Sequence, residues 1–109
     1  MTHAVEGIDD VVHQRVRLGL LAILDELGEA SFNYLAGELG VTAGNLSRHL
    51  SVLADAGYIR IDKTVVGVRP RTWTRITAEG RTAFAAEVAV LRELLRRHER
   101  SPRGDAPSR

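Results

Sequence analysis

The sequence contains no cysteine. That absence excludes disulfide scaffolds, thiol nucleophiles, iron-sulfur clusters and cysteine-based zinc sites or redox sensors. No apolar run approaches the roughly 18 residues that a membrane helix needs. The start, with His3 and Glu6 and no basic cluster, lacks a signal-peptide layout. A cytoplasmic chain without membrane contact is the expectation. The four histidines, His3, His13, His49 and His98, include no pair at three- or four-residue spacing, so neither a metal nor another cofactor is expected. Nor does any nucleophile with a base, carboxylate pair or phosphate-cradling glycine loop stand at usable spacing, which speaks against an enzyme. Internal repeats are lacking too.

What is there is one domain's worth of ordinary globular material. The chain has 109 residues, 44% hydrophobic and 27% charged, enough for a modest core but not for a second, ligand-holding domain. The net charge of +1 says little, but its distribution is uneven. Residues 1–30 carry 2 basic and 6 acidic side chains, whereas residues 58–76 carry 5 basic and 1 acidic. Lys63 is the single lysine among the 15 basic residues; a GC-rich genome produces such a bias as readily as selection does, so it carries no argument.

Asp9 reads as the N-cap of a first helix, Val11 to Leu27, with Asp10 in its first turn and Gly28 ending it. Val12, Val16, Leu20, Ile23 and Leu27 form one stripe, while Val11, Leu18, Leu21 and Leu24 fall on other faces. So apolar a helix at the end of a small chain has surface to spare for a second copy. Ser31 caps a short helix, Phe32 to Leu39, and Thr42 caps a third that stops at Gly57 with Leu46, Leu50 and Leu53 buried. Only Gly40 and Val41 separate the two, the spacing of a helix-turn-helix. Tyr58 to Val65 and Arg71 to Ile76, rich in β-branched and aromatic residues, read as a β-hairpin around Val66 to Pro70. Thr77 caps a last helix whose stripe of Phe84, Val88, Leu91 and Leu95 is widened by Ala83, Val90 and Leu94. Ser101 to Arg109, with two prolines and no apolar pattern, should be a disordered tail.

Helix, helix-turn-helix, hairpin and helix, in that order, resemble a winged helix-turn-helix transcriptional regulator of the short, single-domain MarR/ArsR-like type. The resemblance rests on Arg17-Leu18 with Ile23-Leu24, Ser31-Phe32 with Leu35, Thr42 with Gly44-Asn45-Leu46-Ser47 and His49-Leu50, and Ala56-Gly57-Tyr58-Ile59. Arg71-Thr72 followed by Ile76-Thr77 and Gly80 completes it. It covers about residues 9–97 and implies a mainly α fold with a small β-hairpin; the domain is expected over residues 9–100, with flexible tails at 1–8 and 101–109. It also implies a homodimer that binds double-stranded DNA.

The third helix fits that implication. With Leu46 toward the core, Gly44, Ser47, Arg48 and Ser51 face outward and Asn45 lies on a flank, all small or polar. A helix in the major groove needs short residues for close approach and one or two side chains that read base edges. Arg48 matches guanine O6 and N7, and Asn45 matches adenine N6 and N7; Gly44, unfavourable in a helix by about 1 kcal/mol, sits where packing is not its reason. Thr42, Ser47 and Ser51 suit phosphate oxygens. Arg17, in the recurring Arg-Leu pair, either supports the DNA backbone or pairs with an acidic neighbour. In the hairpin, Arg60, Lys63, Arg69, Arg71 and Arg75 surround Gly67 and Pro70 and form a wing for phosphates or the minor groove, or else guard an edge strand. Trp73 is expected to pack rather than to stack on guanidinium.

The expected dimer pairs Val12, Val16, Leu20, Leu21 and Leu24 of the first helix with Val88, Leu91, Leu94 and Leu95 of the last. Two copies would then meet successive major grooves on an inverted repeat. An effector, if there is one, would sit in that interface. The rival expectation is a winged-helix protein-protein module, which should show aromatic or large apolar anchors on the third helix. It shows none.

Overall fold

A computed structural model describes residues 9–100; the tails expected at 1–8 and 101–109 lie outside the described residues. The order is α1 (Arg15–Leu27), β1 (Glu29–Ser31), α2 (Phe32–Leu39), α3 (Ala43–Asp55), β2 (Ile59–Val66), β3 (Arg69–Ile76) and α4 (Ala78–Arg100). The strands form one antiparallel sheet in the order β1-β3-β2. Four helices with a hairpin sheet make the mainly α winged helix that the sequence implied. No helix among the described residues is long and apolar enough to cross a membrane.

The capping residues act locally as their chemistry requires. Ser31 Oγ accepts from the Tyr34 amide at 3.1 Å, and Thr42 Oγ1 from the Asn45 amide at 3.1 Å. Asp9 caps as well, but it caps a turn rather than α1. Its Oδ1 accepts from Val11 N–H at 2.8 Å, and its carbonyl accepts from Val12 and His13 at 3.0 and 2.7 Å. The chain then re-enters helix one turn later than expected, with Gln14 Oε1 accepting from Arg17 N–H at 2.8 Å.

The hairpin is tighter than its sequence suggested. Val66 pairs with Arg69, so the loop is only Gly67 and Val68, and Gly67 takes φ +64° at the first loop position, where a two-residue hairpin demands glycine. Pro70, expected in the loop, lies in β3 opposite Val65. It is tolerated because β1 covers β3 only at residues 73–75, leaving that stretch of β3 an edge on one side. β1 itself was not foreseen. Its three residues, between Gly28 and the second helix that Ser31 caps, pair Glu29 with Arg75, Ala30 with Thr74 and Ser31 with Trp73.

α1 is the centre of the fold: it packs against all three other helices and against β1 and β3. This corrects the expected dimer interface, because Val12, Leu20, Leu21 and Leu24 are fully buried within the single chain. Elements of this same domain use up the all-round apolar surface. Leu35, Leu46, Leu50, Leu53, Ile59 and Ile76 complete the core. On α4 the half-buried Val88 and Leu91 and the exposed Leu94 and Leu95 keep surface to offer, as does the half-buried Val16.

Where α4 begins, it comes unusually close to β2. A Cβ on Gly80 would stand 2.1 Å from the Tyr58 carbonyl oxygen, so only glycine fits. That carbonyl accepts from Thr77 N–H at 3.0 Å, while the Thr77 hydroxyl donates to the Gly57 carbonyl at 2.7 Å and accepts from Gly80 N–H at 2.9 Å. The end of α3, the wing base and α4 are thereby tied at one point.

Candidate nucleic-acid interface

α3 presents Thr42, Gly44, Asn45, Ser47, Arg48 and Ser51 to solvent, with Leu46, Leu50 and Leu53 turned into the core. Open space surrounds Gly44: a Cβ there would meet nothing within 4 Å. The helix therefore gains nothing inside the chain from this glycine, and its backbone is open to close approach. Beside it Arg48 Nη2 donates to Asn45 Oδ1 at 2.5 Å, so the two candidate base readers act as one hydrogen-bonded unit. The Thr42 hydroxyl already accepts from the Asn45 amide but keeps its own proton free to donate.

The strand register divides the basic residues of the wing between two faces. Lys63 shares a face with Ile61, Thr72 and Thr74, the face that meets α3. There a cleft of about 350 Å³ is lined by Ser47, Ser51, Lys63 and Thr72 over Phe32, Leu50 and Ile61. Helix hydroxyls and the wing ammonium are thus brought together. Arg60, Arg69, Arg71 and Arg75 occupy the opposite face with Trp73. Arg69 and Arg71 belong to the tip half and border a second hollow with Ser31 and Asn33 at the start of α2. Arg60 stands at the base opposite Arg75, which is itself bonded to Glu29 at 2.9 Å, so it is set apart from α3. Trp73 is half-buried, between Asp62 and Ser31 in the sheet.

Arg17 departs most from expectation. Its Nε donates to the Val11 carbonyl at 2.6 Å, its Nη2 to the Asp10 carbonyl at 3.4 Å and its Nη1 to His49 Nδ1 at 3.1 Å. All three nitrogens are engaged within the chain, tying the turn before α1 to α3, and the group is not turned outward for a phosphate. A guanidinium only donates, so His49 accepts at Nδ1 and is a neutral imidazole protonated on Nε2. Burial, then the charges of Arg17 and Arg48, hold its pKa below the ordinary range. A packed, hydrogen-bonded His49 was expected, but its arginine partner was not.

Two further pairs escaped the sequence reading. His13 Nδ1 lies 2.6 Å from Oε2 of Glu87, a carboxylate buried on α4. The Tyr58 hydroxyl donates to Asp9 Oδ2 at 2.7 Å. That bond lowers the Asp9 pKa and raises that of Tyr58. No signal in the sequence marks either, since the partners stand 74 and 49 residues apart. Among the described residues no group of three or more histidines and carboxylates could hold a metal ion.

Comparison with known proteins adds the following. The profile of a family described as winged helix DNA-binding domain matches residues 16–95. An uncharacterized protein of Methanocaldococcus jannaschii, MJ0432, is 42% identical over 69 residues, 63% of this chain and 75% of that one. The solved structure of a transcriptional regulator homologue from Pyrococcus horikoshii OT3 superposes with a TM-score of 0.75 at 30% identity, covering 80% of this chain and 86% of that one. An ArsR family transcriptional regulator, RHA00566, aligns with a TM-score of 0.58 at 29% identity, covering 86% and 98%.

Proposed function

The chain belongs to the winged helix DNA-binding domain family, and from that premise we propose that it is a cytoplasmic, non-enzymatic regulator that binds an inverted-repeat operator as a homodimer. Such regulators set α3 in the major groove and the wing on the backbone or in the minor groove beside it. The observation that carries the reading is the exposed face of α3. A glycine with open space around it stands next to a hydrogen-bonded arginine and asparagine, and aromatic and large apolar side chains are missing from that face. A protein-binding version of the fold would need such anchors.

Arg48 is assigned to guanine and Asn45 to the neighbouring base, with each good pair discriminating by about 1 to 3 kcal/mol. Thr42, Ser47 and Ser51 are assigned to phosphates, and Lys63, at the α3 cleft, to the adjoining backbone. Arg69 and Arg71 are assigned to the outer flank of the site. The homodimer is assigned to the outer turns of α4, where Leu94 is 37% and Leu95 60% exposed. Selection of binding sites from a random duplex pool at physiological salt tests this reading. An inverted repeat with half-sites about one helical turn apart is expected for the wild type, with one position per half-site relaxed in Arg48→Ala. Retention of DNA without enrichment, or an Arg48→Ala motif identical to wild type, overturns it.

A further inference from the structure

A cavity of about 520 Å³ lies between the turn before α1, the start of β2 and the first half of α4. Its polar lining is Asp9, Tyr58, Glu79, Thr82 and Glu87; the rest is the small apolar surface of Ala78, Ala83 and Ala86. Three lining residues are carboxylates and none is a lysine or arginine. On α4 these positions occupy the first three turns, about two turns before Leu94 and Leu95, although Glu87 falls on the same side of the helix as Leu94 by the 100° per residue of a helix. The cavity is therefore set apart along the helix, not around it, from the Leu94 and Leu95 surface assigned to a second copy.

Acidity alone would not make this a site; Glu87 does. Its side chain is fully buried, Oε2 meets His13, and Oε1 has no hydrogen-bond partner among the described residues. A buried acceptor left unmade costs about 1 to 3 kcal/mol, and more when it is charged. Oε1 is itself closed to solvent, so an N–H donor in the cavity would remove that cost once the Glu87 side chain turns toward it. The Asp9 carboxylate, held ionised by the Tyr58 hydroxyl, adds negative charge at the rim. A metal ion does not fit, because no group of three or more ligating side chains converges among the described residues. The volume falls within the roughly 300 to 1,000 Å³ of small-molecule pockets, and the alanines offer a smooth apolar bed.

We infer that this cavity binds a small organic ammonium ion, with its N–H donated to Glu87 and its apolar body laid along the α4 alanines. Occupancy is felt at α3 through a continuous bonded path. Asp9 builds the turn, the carbonyls of Asp10 and Val11 in that turn accept from Arg17, and Arg17 donates to His49 on α3. Regulation of DNA binding by this route rests on the function proposed above; the binding itself and its transmission to His49 do not.

Titration of the full chain followed by ¹H–¹⁵N NMR, without DNA, tests both. The probes are phenethylamine, the uncharged 2-phenylethanol and the anionic phenylacetate. Phenethylamine is expected to give saturable shifts at the amides of Asp9, Thr82 and Ala86 and at the His49 ring, and the other two probes to give none over the same range. Glu87→Gln should weaken the amine at least tenfold. Ala86→Leu, at an exposed helical position that fills the cavity without touching the core, should do the same should Glu87→Gln fail to fold. In Arg17→Met the cavity amides should still shift while His49 no longer responds. Equal binding of phenylacetate, shifts confined to other surfaces, no saturation with any probe, or an unchanged amine affinity in a folded Glu87→Gln or Ala86→Leu chain overturns the site. A His49 response that survives Arg17→Met overturns the path. Failure to bind DNA would leave these results untouched and count against the regulator reading alone.

Discussion

Gly80→Ala sets two well-defined effects against each other. By helix propensity alone, alanine in place of glycine inside α4 should stabilise the chain by about 1 kcal/mol. Contact geometry points the other way. The new Cβ would lie 2.1 Å from the Tyr58 carbonyl oxygen and 2.9 Å from its carbon, both backbone atoms that cannot rotate aside. Relieving the contact means moving α4 off β2 by about 1 Å, a strain of the kind that costs about 1 to 3 kcal/mol. The same carbonyl accepts from Thr77 N–H, and stretching that bond adds about 1 kcal/mol. Set against the propensity gain, the net expectation is a loss of about 1 to 3 kcal/mol. Urea denaturation followed by far-UV circular dichroism reads it, with Gly37→Ala as the control: it is also helical, has nothing within 4 Å of the added Cβ, and should gain about 0.5 to 1 kcal/mol. A Gly80→Ala chain as stable as wild type, or more so, would refute the argument from close approach.

Tyr58→Phe removes the donor to Asp9 and should cost about 1 to 2 kcal/mol, the lower part of the range for bonds to a charged group because Asp9 is only half-buried; thermal or urea unfolding at pH 7 checks it. Wild-type stability should fall as pH drops below 6.5, because the unfolded chain protonates its histidine there while folded His49, with its pKa held down, does not. The share due to His49 should stop growing once pH passes below its folded-state pKa, and Asp9, held down by the Tyr58 hydroxyl, adds a further loss at lower pH. Arg17→Met should cost about 2 to 3 kcal/mol by stranding two carbonyls and His49 Nδ1, and NMR titration should show the His49 pKa rising but still short of 6.5, since burial is its first cause. Leu94→Glu with Leu95→Glu should turn a dimer into a monomer by analytical ultracentrifugation with the helix content kept; a dimer that persists would refute the assignment to α4. Lys63→Ala should lower affinity for every DNA sequence alike and reduce the salt slope by about 1, which fluorescence anisotropy across salt concentrations measures.

Features governed by neighbours in sequence were legible. Ser31, Thr42 and Thr77 sit where caps belong, and the exposed face of α3 follows from the placement of Leu46 alone. Pairings across long chain separations were not legible, because a single sequence carries no mark of them. β1 is three residues long and exists only because β3 lies beside it. Glu87 reads as one more solvated charge on α4 until α1 and the preceding turn close over it. Arg17 resembles a phosphate contact in outline, yet the turn that replaces the expected first helical turn offers it two carbonyls, and those take it inward. The all-round apolar α1 was read as half of a dimer, when four other elements besides α4 were waiting to cover it.

The knot at Thr77, Gly57 and Gly80 also makes α4 a lever. Its 23 residues reach about 35 Å at 1.5 Å per residue, and its foot is bonded to the carbonyls of Gly57 and Tyr58, where α3 hands over to β2. In a dimer joined through the outer turns, a pivot of about 5° at that foot would carry each reading head about 3 Å, close to the roughly 3.4 Å between successive bases along a strand. A rigid foot would therefore meter the gap between half-sites to a single base pair. One glycine would set how strictly an operator's spacing is enforced.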